Sequence, residues 1–309
     1  MKNISIIVPS YNEEKNIIPF FELCKKELNS EHKYEFIFVN DGSSDDTFNK
    51  IKELKSIYPN ENIIGINFSR NFGKESAILA GLNYANGEYI SLIDADLQQN
   101  PKYINEMVDI LEYNDDVDGV SAYQDVRNEG GVLKFFKSLF YNWINKLSDV
   151  KLRKDASDFR TFRKEIRDSI VSMNEYNRFS KGIFAWVGYN IEYIPYTVEE
   201  RLHGKTKWSF KSLTKYAIEG FVGYSTAPLK FSTILGMFTS IISILYLIIV
   251  IIQKLFIGIE VEGFATIICL ILFFAGVQLL SLGIIGEYLA KTYLEVKKRP
   301  HYLIKNVIK

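Results

Sequence analysis

The sequence has few of the residues from which disulfide frameworks and zinc sites are built. Its 309 residues include two cysteines and three histidines. Cys24 lies in a region of ordinary composition and Cys269 in a strongly apolar one, which argues against a bond between them. Two thiols are too few for a metal-thiolate centre, and the histidines do not form a metal set. The composition therefore gives no support to a disulfide scaffold or a zinc protein.

Neither sign of charge is in excess, and no secretion signal opens the chain. The 37 lysines and arginines balance 37 aspartates and glutamates, so the formal net charge is +0. Nucleic-acid-binding proteins usually carry a basic excess, so we predict no nucleic-acid partner. The apolar run 4–8 is too short for a signal core and is followed by Pro9. We expect the N-terminal domain to stay in the cytoplasm.

Two common nucleotide-binding signatures are also missing. No Gly-x-Gly-x-x-Gly follows the first apolar run, and no Walker Gly-x-x-x-x-Gly-Lys-Ser/Thr loop occurs. These absences argue against a Rossmann dinucleotide site and a P-loop. A nucleotide phosphate would therefore depend on a cation, and carboxylate oxygens suit Mg²⁺ or Mn²⁺.

What the first half does contain is a regular alternation of strand and helix patterns. Short apolar, β-branched runs predict strands over 4–8, 35–39, 63–68, 89–93 and 119–123. Segments with helical spacing lie between them, over about 13–28, 46–56, 75–84 and 102–113. This alternation predicts a mostly parallel sheet with helices on both faces.

Polar loops follow three of these strands, at 9–13, 41–45 and 94–98. Because ligands of open α/β sheets bind at the carboxyl ends of the strands, a nucleotide is expected above these loops. Asp94 and Asp96 come at the end of the fourth strand, where they could bind a cation and a diphosphate. A simple acidic turn after a strand is the alternative.

Four motifs give these loops a specific resemblance. They are Val8-Pro9-Ser10-Tyr11-Asn12-Glu13-Glu14, Val39-Asn40-Asp41-Gly42-Ser43-Ser44-Asp45, Arg70-Asn71-Phe72-Gly73-Lys74 and Asp94-Ala95-Asp96-Leu97-Gln98. In order and spacing they resemble the inverting GT-A glycosyltransferases of family 2. More narrowly, they resemble the polyprenyl-phosphate enzymes, dolichol-phosphate mannose synthase and the bactoprenol glucosyltransferases. The resemblance implies an α/β GT-A fold, Rossmann-like, in a chain that ends in membrane helices.

The resemblance also implies roles for individual donor-site residues. It assigns uracil and ribose contacts to Pro9, Tyr11, Glu13 and Asp41, a phosphate contact to Lys74, the metal and diphosphate to Asp94 and Asp96, and the metal or sugar to Gln98. Each has a simpler alternative. Tyr11 could be surface aromatic packing, Asp41 a turn residue or helix cap, and Lys74 a solvated charge. A cation at a helix start opposes the helix dipole, which favours a phosphate role for Lys74.

The middle of the chain is the expected acceptor region. Residues 132–147 are aromatic and basic, with apolar side chains at helical spacing, which fits a core helix or an interfacial helix lying in the membrane plane. The membrane spans further on favour the second. Arg127 and Lys134 could bind an anionic phosphate, and the resemblance implies that basic residues here meet the lipid phosphate.

The triplet Asp158-Phe159-Arg160 resembles the family's second acidic motif, in which Asp158 is the presumed catalytic base. We question that role, because a phosphate monoester has a second pKa of about 6 and is largely ionised near pH 7. Asp158 could instead orient the acceptor or a sugar hydroxyl, or stabilise positive charge at the anomeric carbon. A salt-bridged Asp and Arg at a strand edge is the simpler alternative.

A basic loop, 199–208, follows. The resemblance places Arg201 and Lys207 in a segment that meets phosphate, and charge on the departing nucleotide could be offset there. An ordinary solvated loop would also explain the composition.

The last part predicts two membrane spans. Residues 231–252 and 263–285 carry no charge and are long enough to cross a bilayer as helices. Lysines and an arginine after them place the tail in the cytoplasm by the positive-inside rule. We therefore divide the chain into a cytoplasmic GT-A domain (1–225, with interfacial helices near 132–147 and 208–224), a membrane region (226–290) and a basic cytoplasmic tail (291–309).

The sequence thus predicts an integral enzyme of the cytoplasmic membrane that transfers a hexose from a UDP-sugar to polyprenyl (undecaprenyl) phosphate, inverting and dependent on Mg²⁺ or Mn²⁺. Glucose is expected; N-acetylglucosamine, mannose or an aminoarabinose derivative stay open. One alternative is a processive polysaccharide synthase, although the Gln-x-x-Arg-Trp motif of that class is missing. Another is a non-catalytic nucleotide-binding membrane scaffold. Small residues in the spans would permit a homo-oligomer.

Overall fold

The computed structural model describes residues 1–124, 153, 156–199, 223, 225–256 and 263–309. The interfacial helix predicted over 132–147 lies outside the described residues, as does nearly all of the one predicted over 208–224. Four predicted acceptor-site residues also lie outside them: Arg127, Lys134, Arg201 and Lys207.

The described chain contains eight strands and eight helices. The strands are β1 (Asn3–Ser10), β2 (Lys33–Asn40), β3 (Asn62–Phe68), β4 (Tyr89–Leu92), β5 (Gly119–Gln124), β6 (Ala156–Arg163), β7 (Ile191–Tyr196) and β8 (Ile304–Ile308). The helices are α1 (Ile17–Glu27), α2 (Thr47–Ile57), α3 (Lys74–Tyr84), α4 (Lys102–Tyr113), α5 (Lys164–Ser172), α6 (Ser180–Trp186), α7 (Ala227–Phe256) and α8 (Phe264–Lys297).

The strands form one sheet in the order β7-β5-β6-β4-β1-β2-β3-β8. Strands β3, β2, β1 and β4 are parallel neighbours, which confirms the expected α/β core. Strand β6 runs antiparallel between β4 and β5, and β8 runs antiparallel along β3. The sheet is therefore mixed at both ends, as in the GT-A fold.

The central strands are apolar on both faces because helices cover both sides. On one face, Ile6 and Phe38 belong to a core with α1, α2 and α4. On the other, Ile7 and Val39 belong to a core with α3 and α5. Both cores are fully buried at these positions. This two-sided packing fixes the strand ends, and so the loops above them.

Helices α7 and α8 differ from all the others in being apolar and exposed. Their most apolar windows have mean hydropathies of 2.7 and 2.6 and are 0% buried inside the protein. Length and composition make both candidate membrane spans. Helix α8 continues well past the predicted end of the second span, to Lys297.

The tail after α8 returns to the sheet. Strand β8 pairs with β3, and Tyr302 stacks on the buried Phe68 with ring centroids 4.9 Å apart and an interplanar angle of 10°. The backbone N–H of Ser69 donates to the carbonyl of Leu303 at 2.9 Å. The hydroxyl of Ser76 donates to the carbonyl of His301 at 3.1 Å. The sequence predicted a basic tail but not that it docks beside the β3–α3 loop.

We predict that the Tyr302 ring carries much of this docking. Tyr302→Ala removes a stacked, half-buried ring and should cost about 1–3 kcal/mol of local stability. Tyr302→Phe keeps the ring and loses only a hydrogen bond with Asn83, at a cost of about 0.5–1.5 kcal/mol. Limited proteolysis of the C-terminal segment, read with the melting temperature, measures the difference.

The matched control is Tyr113→Ala, since Tyr113 is 90% exposed on α4. If Tyr302→Ala is cleaved no faster than Tyr113→Ala, the stacked ring does not anchor the tail.

Candidate active site

The loops after β1 and β2 form one hydrogen-bonded unit at the carboxyl edge of the sheet. The N–H of Asn12 donates to Ser43 Oγ at 2.9 Å, and the N–H of Ser44 donates back to Asn12 Oδ1 at 2.9 Å. The N–H of Glu13 donates to Thr47 Oγ1 at 2.8 Å. The positive φ of Asn12, 55°, suits an asparagine in a tight turn. The first two motifs are thus brought together.

Asp41 joins this unit to the loop after β3. It is buried, and its two carboxylate oxygens accept the N–H of Phe72 at 2.7 Å and that of Gly73 at 2.9 Å. Burial raises the pKa of Asp41, against the lowering effect of these two bonds. Gly42, at φ 61°, lies so close to Arg70 that a Cβ would sit 2.2 Å from its carbonyl carbon.

The other donor-site residues from the first motif line the same loops. Pro9 is paired with Val39 near the end of β1. Tyr11 is 38% exposed, which leaves its ring accessible to a ligand. Glu13 accepts a hydrogen bond from Asn16 Nδ2 at 2.6 Å. Their contacts with uracil and ribose stay predictions.

The Asp-x-Asp turn has an unusual backbone. Leu97 adopts φ 62°, which is uncommon for a residue without a local polar side chain. The N–H of Gln98 donates to Asp96 Oδ1 at 3.3 Å, and the N–H of Asp94 donates to Gln99 Oε1 at 3.0 Å. Left-handed backbone of this kind costs free energy and clusters at functional sites. The turn places Asp94, Asp96 and Gln98 at the sheet edge.

A single lysine bridges two carboxylates beside this turn. Lys74 Nζ lies 2.7 Å from Asp94 Oδ1 and 2.9 Å from Asp94 Oδ2. It also lies 3.2 Å from Asp158 Oδ2. The three side chains are 42%, 31% and 29% exposed for Lys74, Asp94 and Asp158, so the cluster is open to a ligand.

The charges in this cluster shift one another. Desolvation opposes the charge on Asp158, but Lys74, Lys181 and Arg160 outweigh it, so its pKa lies well below the usual range. Desolvation likewise opposes the charge on Lys74, and Asp94 and Asp158 outweigh it, which raises the ammonium pKa. Desolvation raises the pKa of Asp94, and only part of that effect is offset by Lys74.

Sequence reasoning missed Glu75, Ser180 and Lys181 around Asp158, whereas the pairing of Asp158 with Arg160 was one of its alternatives. Glu75 accepts hydrogen bonds from the N–H of Ser180, at 3.1 Å, and from its hydroxyl. Arg160 is nearly buried, with Nη2 3.8 Å from Asp158 Oδ1. Lys181 acts on Asp158 electrostatically. Only the tertiary fold brings α3, β6 and α6 together, although Glu75 directly follows a motif that had been singled out.

The donor set suits a hard divalent cation that also binds phosphate. Among the residues the structure describes, no group of three or more His, Cys, Asp or Glu side chains could by itself enclose a metal ion. Mg²⁺ commonly uses one or two carboxylates and completes its shell with water and substrate phosphates. Asp94 and Asp96 offer that kind of incomplete, all-oxygen site.

A mixed sheet of this order, with an Asp-x-Asp turn and the hydrogen-bonded loops after β1 and β2 at its carboxyl edge, is that of a GT-A glycosyltransferase. The chain belongs to glycosyltransferase family 2, because residues 5–171 match the family described as "Glycosyl transferase family 2". It is therefore an enzyme of the glycosyltransferase class. This confirms the family and the fold expected from the four motifs.

Relatives match the chain over nearly its whole length. A putative glycosyltransferase, CsbB, of Bacillus subtilis (strain 168) is 44% identical over 98% of this chain and 91% of that protein. A prophage bactoprenol glucosyl transferase homolog of Escherichia coli (strain K12) is 36% identical over 99% of each chain. The bactoprenol glucosyl transferase of Shigella phage SfII is 37% identical over 98% of this chain and 97% of that protein.

A solved structure supports the same fold. A mannosyltransferase from Pyrobaculum calidifontis, in complex with GDP-Man and Mn²⁺, superposes with a TM-score of 0.50 at 16% identity. The match covers 72% of this chain and 62% of that one.

We predict that Asp41 stabilises the β3–α3 loop through both of its oxygens. Asp41→Asn retains one acceptor oxygen and turns an amide N–H₂ towards the other backbone N–H, which should cost about 1–3 kcal/mol. The melting temperature of the purified protein measures this loss. Asp116→Asn, on an exposed residue, is the control. An Asp41→Asn protein as stable as the control would show that the two bonds contribute little.

Proposed function

We propose that the enzyme transfers a hexose, glucose in the first instance, from a UDP-sugar to polyprenyl phosphate at the cytoplasmic face of the membrane. One observation carries this proposal: the same chain contains a carboxylate site open to a ligand and two exposed apolar helices. The named activity of the Escherichia coli and Shigella phage relatives supports the glucosyl group and the bactoprenol acceptor.

The donor would lie across the loops after β1, β2 and β4. Tyr11 is exposed and Asp41 is buried, and the loops that carry them are joined by hydrogen bonds. The four-motif resemblance supports uridine as the base, with Pro9 and Glu13 beside it. Lys74 and the Asp-x-Asp turn would face the diphosphate, and Gln98 the metal or sugar.

Asp94 and Asp96 would hold the metal, Mg²⁺ or Mn²⁺. When bound, the ion would offset charge on the diphosphate as the nucleotide leaves. The carboxylates alone would repel a diphosphate, so a cation is needed on electrostatic grounds.

The acceptor would be a lipid that stays in the bilayer. A long prenyl chain cannot leave the membrane without exposing apolar area to water, so an enzyme fixed beside the membrane suits it. Arg127, Lys134, Arg201 and Lys207 are the cations proposed to meet its phosphate. The interfacial segments 132–147 and 208–224 would place them at the headgroup level.

The transfer needs no proton to move. An ionised oxygen of the acceptor phosphate attacks the anomeric carbon of the sugar. The bond from that carbon to the UDP oxygen breaks, and UDP departs with the electron pair. In-line attack inverts the configuration. Near pH 7 the attacking phosphate is already largely deprotonated, since its second pKa is about 6.

The sheet supports the proposed membrane orientation. Because β8 pairs with β3, the end of α8 and the catalytic domain would lie on the same side of the membrane. Two crossings satisfy that condition, and the basic tail supports the cytoplasmic side. A processive synthase would need more spans to form a channel. A non-catalytic scaffold would leave the strained Asp-x-Asp turn and its carboxylates unexplained.

Membranes carrying the protein, incubated with labelled UDP-sugars and undecaprenyl phosphate, test the proposal. We expect release of UDP and formation of a labelled lipid that depend on the lipid and on Mg²⁺ or Mn²⁺. UDP-glucose should be the best donor of a panel that includes UDP-N-acetylglucosamine. No transfer from any common UDP-sugar by a folded protein would overturn the proposal.

Within that assay, Asp96→Ala should abolish metal-dependent UDP binding and lower turnover by about 100-fold or more. Equilibrium binding of UDP with and without Mn²⁺ measures the first effect. Asp109→Ala, on the exposed face of α4, is the control. Unchanged binding in Asp96→Ala would reduce the Asp-x-Asp pair to an acidic turn.

A further inference from the structure

The strand register places two carboxylates opposite each other. In the antiparallel pair of β4 and β6, Leu92 faces Arg160. Two residues beyond Leu92 is Asp94, and two residues before Arg160 is Asp158. Continuation of the register therefore sets Asp94 across from Asp158, just past the end of β4. Like charges in directly opposed positions destabilise a strand pair.

Lys74 occupies the space between them. Its ammonium carries three N–H donors and lies within 3.2 Å of an oxygen of each acid. The backbone on both sides of the lysine is fixed. The N–H of Gly73 is bonded to Asp41, and the side chain of Glu75 is bonded to Ser180. The fold thus fixes the start of α3, from which the Lys74 side chain reaches the two acids.

Asp158 is poorly arranged to act as a base. One of its oxygens faces Lys74 at 3.2 Å, and the other faces Arg160 at 3.8 Å. A general base needs an oxygen directed at the proton it removes. The ionised acceptor of the proposed reaction offers no such proton.

We propose that Asp158 is a positioning residue for Lys74, the side chain already expected to meet the diphosphate of the donor. This rests on the proposed function, which supplies the diphosphate. Asp158 anchors the ammonium from the acceptor side, while Asp94 holds it beside the Asp-x-Asp turn. A cation that binds Asp94 would satisfy that carboxylate and free N–H groups of Lys74 for phosphate oxygens. Binding of the donor thereby depends on Asp158 through its contact with Lys74.

A double-mutant cycle on UDP binding tests this coupling. Lys74→Met should weaken UDP binding by about tenfold or more, because a charge-assisted contact is lost. Asp158→Asn should weaken it less. In the Lys74→Met background, Asp158→Asn should change the Kd for UDP by less than about twofold, since the lysine it positions is gone. Equilibrium binding of UDP with Mn²⁺ provides the readout.

Stability gives a second readout that does not require a ligand. Lys74→Met leaves Asp94 and Asp158 facing each other without the ammonium between them and should lower the melting temperature. Adding Asp158→Asn should restore part of that loss by removing the repulsion. Lys74→Arg keeps the charge and should melt near the wild type. Lys102→Met, on an exposed lysine of α4, is the matched control for loss of a lysine.

Opposite results would overturn the inference. One such result is an Asp158→Asn protein that binds UDP as the wild type does but transfers no sugar, whether or not Lys74 is present. That is the behaviour of a base or an acceptor ligand. Independent, multiplicative effects on UDP binding would also contradict it. A different result would overturn the acceptor assignment alone. In that case the double-mutant cycle on UDP binding shows coupling of Lys74 and Asp158, but the wild type does not glycosylate undecaprenyl phosphate.

Discussion

The site depends on the compensation of carboxylate charge at one edge of the sheet. Asp94 and Asp158 emerge from adjacent antiparallel strands, and Lys74 is the cation that lies between them. Without the lysine, Coulomb repulsion between the two opposed carboxylates would destabilise the pairing of the strands at this edge. Lys74 is the first residue of α3, so it can reach both acids only if the helix begins at this point. The position of the first turn of α3 is therefore the constraint that the surrounding loops must satisfy.

The loop between β3 and α3 meets that constraint from two sides. On the side of β2, the carboxylate of Asp41 accepts the N–H groups of Phe72 and Gly73. On the opposite side, the C-terminal segment packs Tyr302 on Phe68 and bonds Leu303 to Ser69. That segment follows directly from the second candidate span. A short segment with several hydrogen bonds and a stacked ring thus connects the second candidate span to the start of α3. The candidate membrane helix is therefore in contact, through this segment, with the loop that carries Lys74.

Local sequence patterns were enough to predict the parallel core of the sheet. The features that they did not predict depend on contacts between residues distant in sequence. Runs such as 35–39 are buried on both faces, so their continuous apolar character indicates a strand without tertiary information. Strand β8 is mostly exposed and gains its order from pairing with β3, which no local pattern reveals. Asp94 could be placed at a strand end from its apolar run. The position of Asp158 opposite Asp94 could not be predicted from the sequence, because the register of β6 is set by its pairing with β4 and β5. Glu75 and Ser180 were missed for the same reason: their bond spans two helices distant in sequence.

The charge balance of the assembled site bears on how a nucleotide diphosphate can enter it. Three cations, Lys74, Arg160 and Lys181, stand against four acids, which are Asp94, Asp96, Asp158 and Glu75. A diphosphate approaching these side chains brings more negative charge into a partly desolvated region, where electrostatic interactions are stronger than in bulk water. The protein must therefore gain positive charge together with the donor. A divalent ion held by Asp94 and Asp96, as proposed, would supply that charge at the sheet edge. The acidic groups of the site are thus a physical reason to expect that donor binding requires a cation.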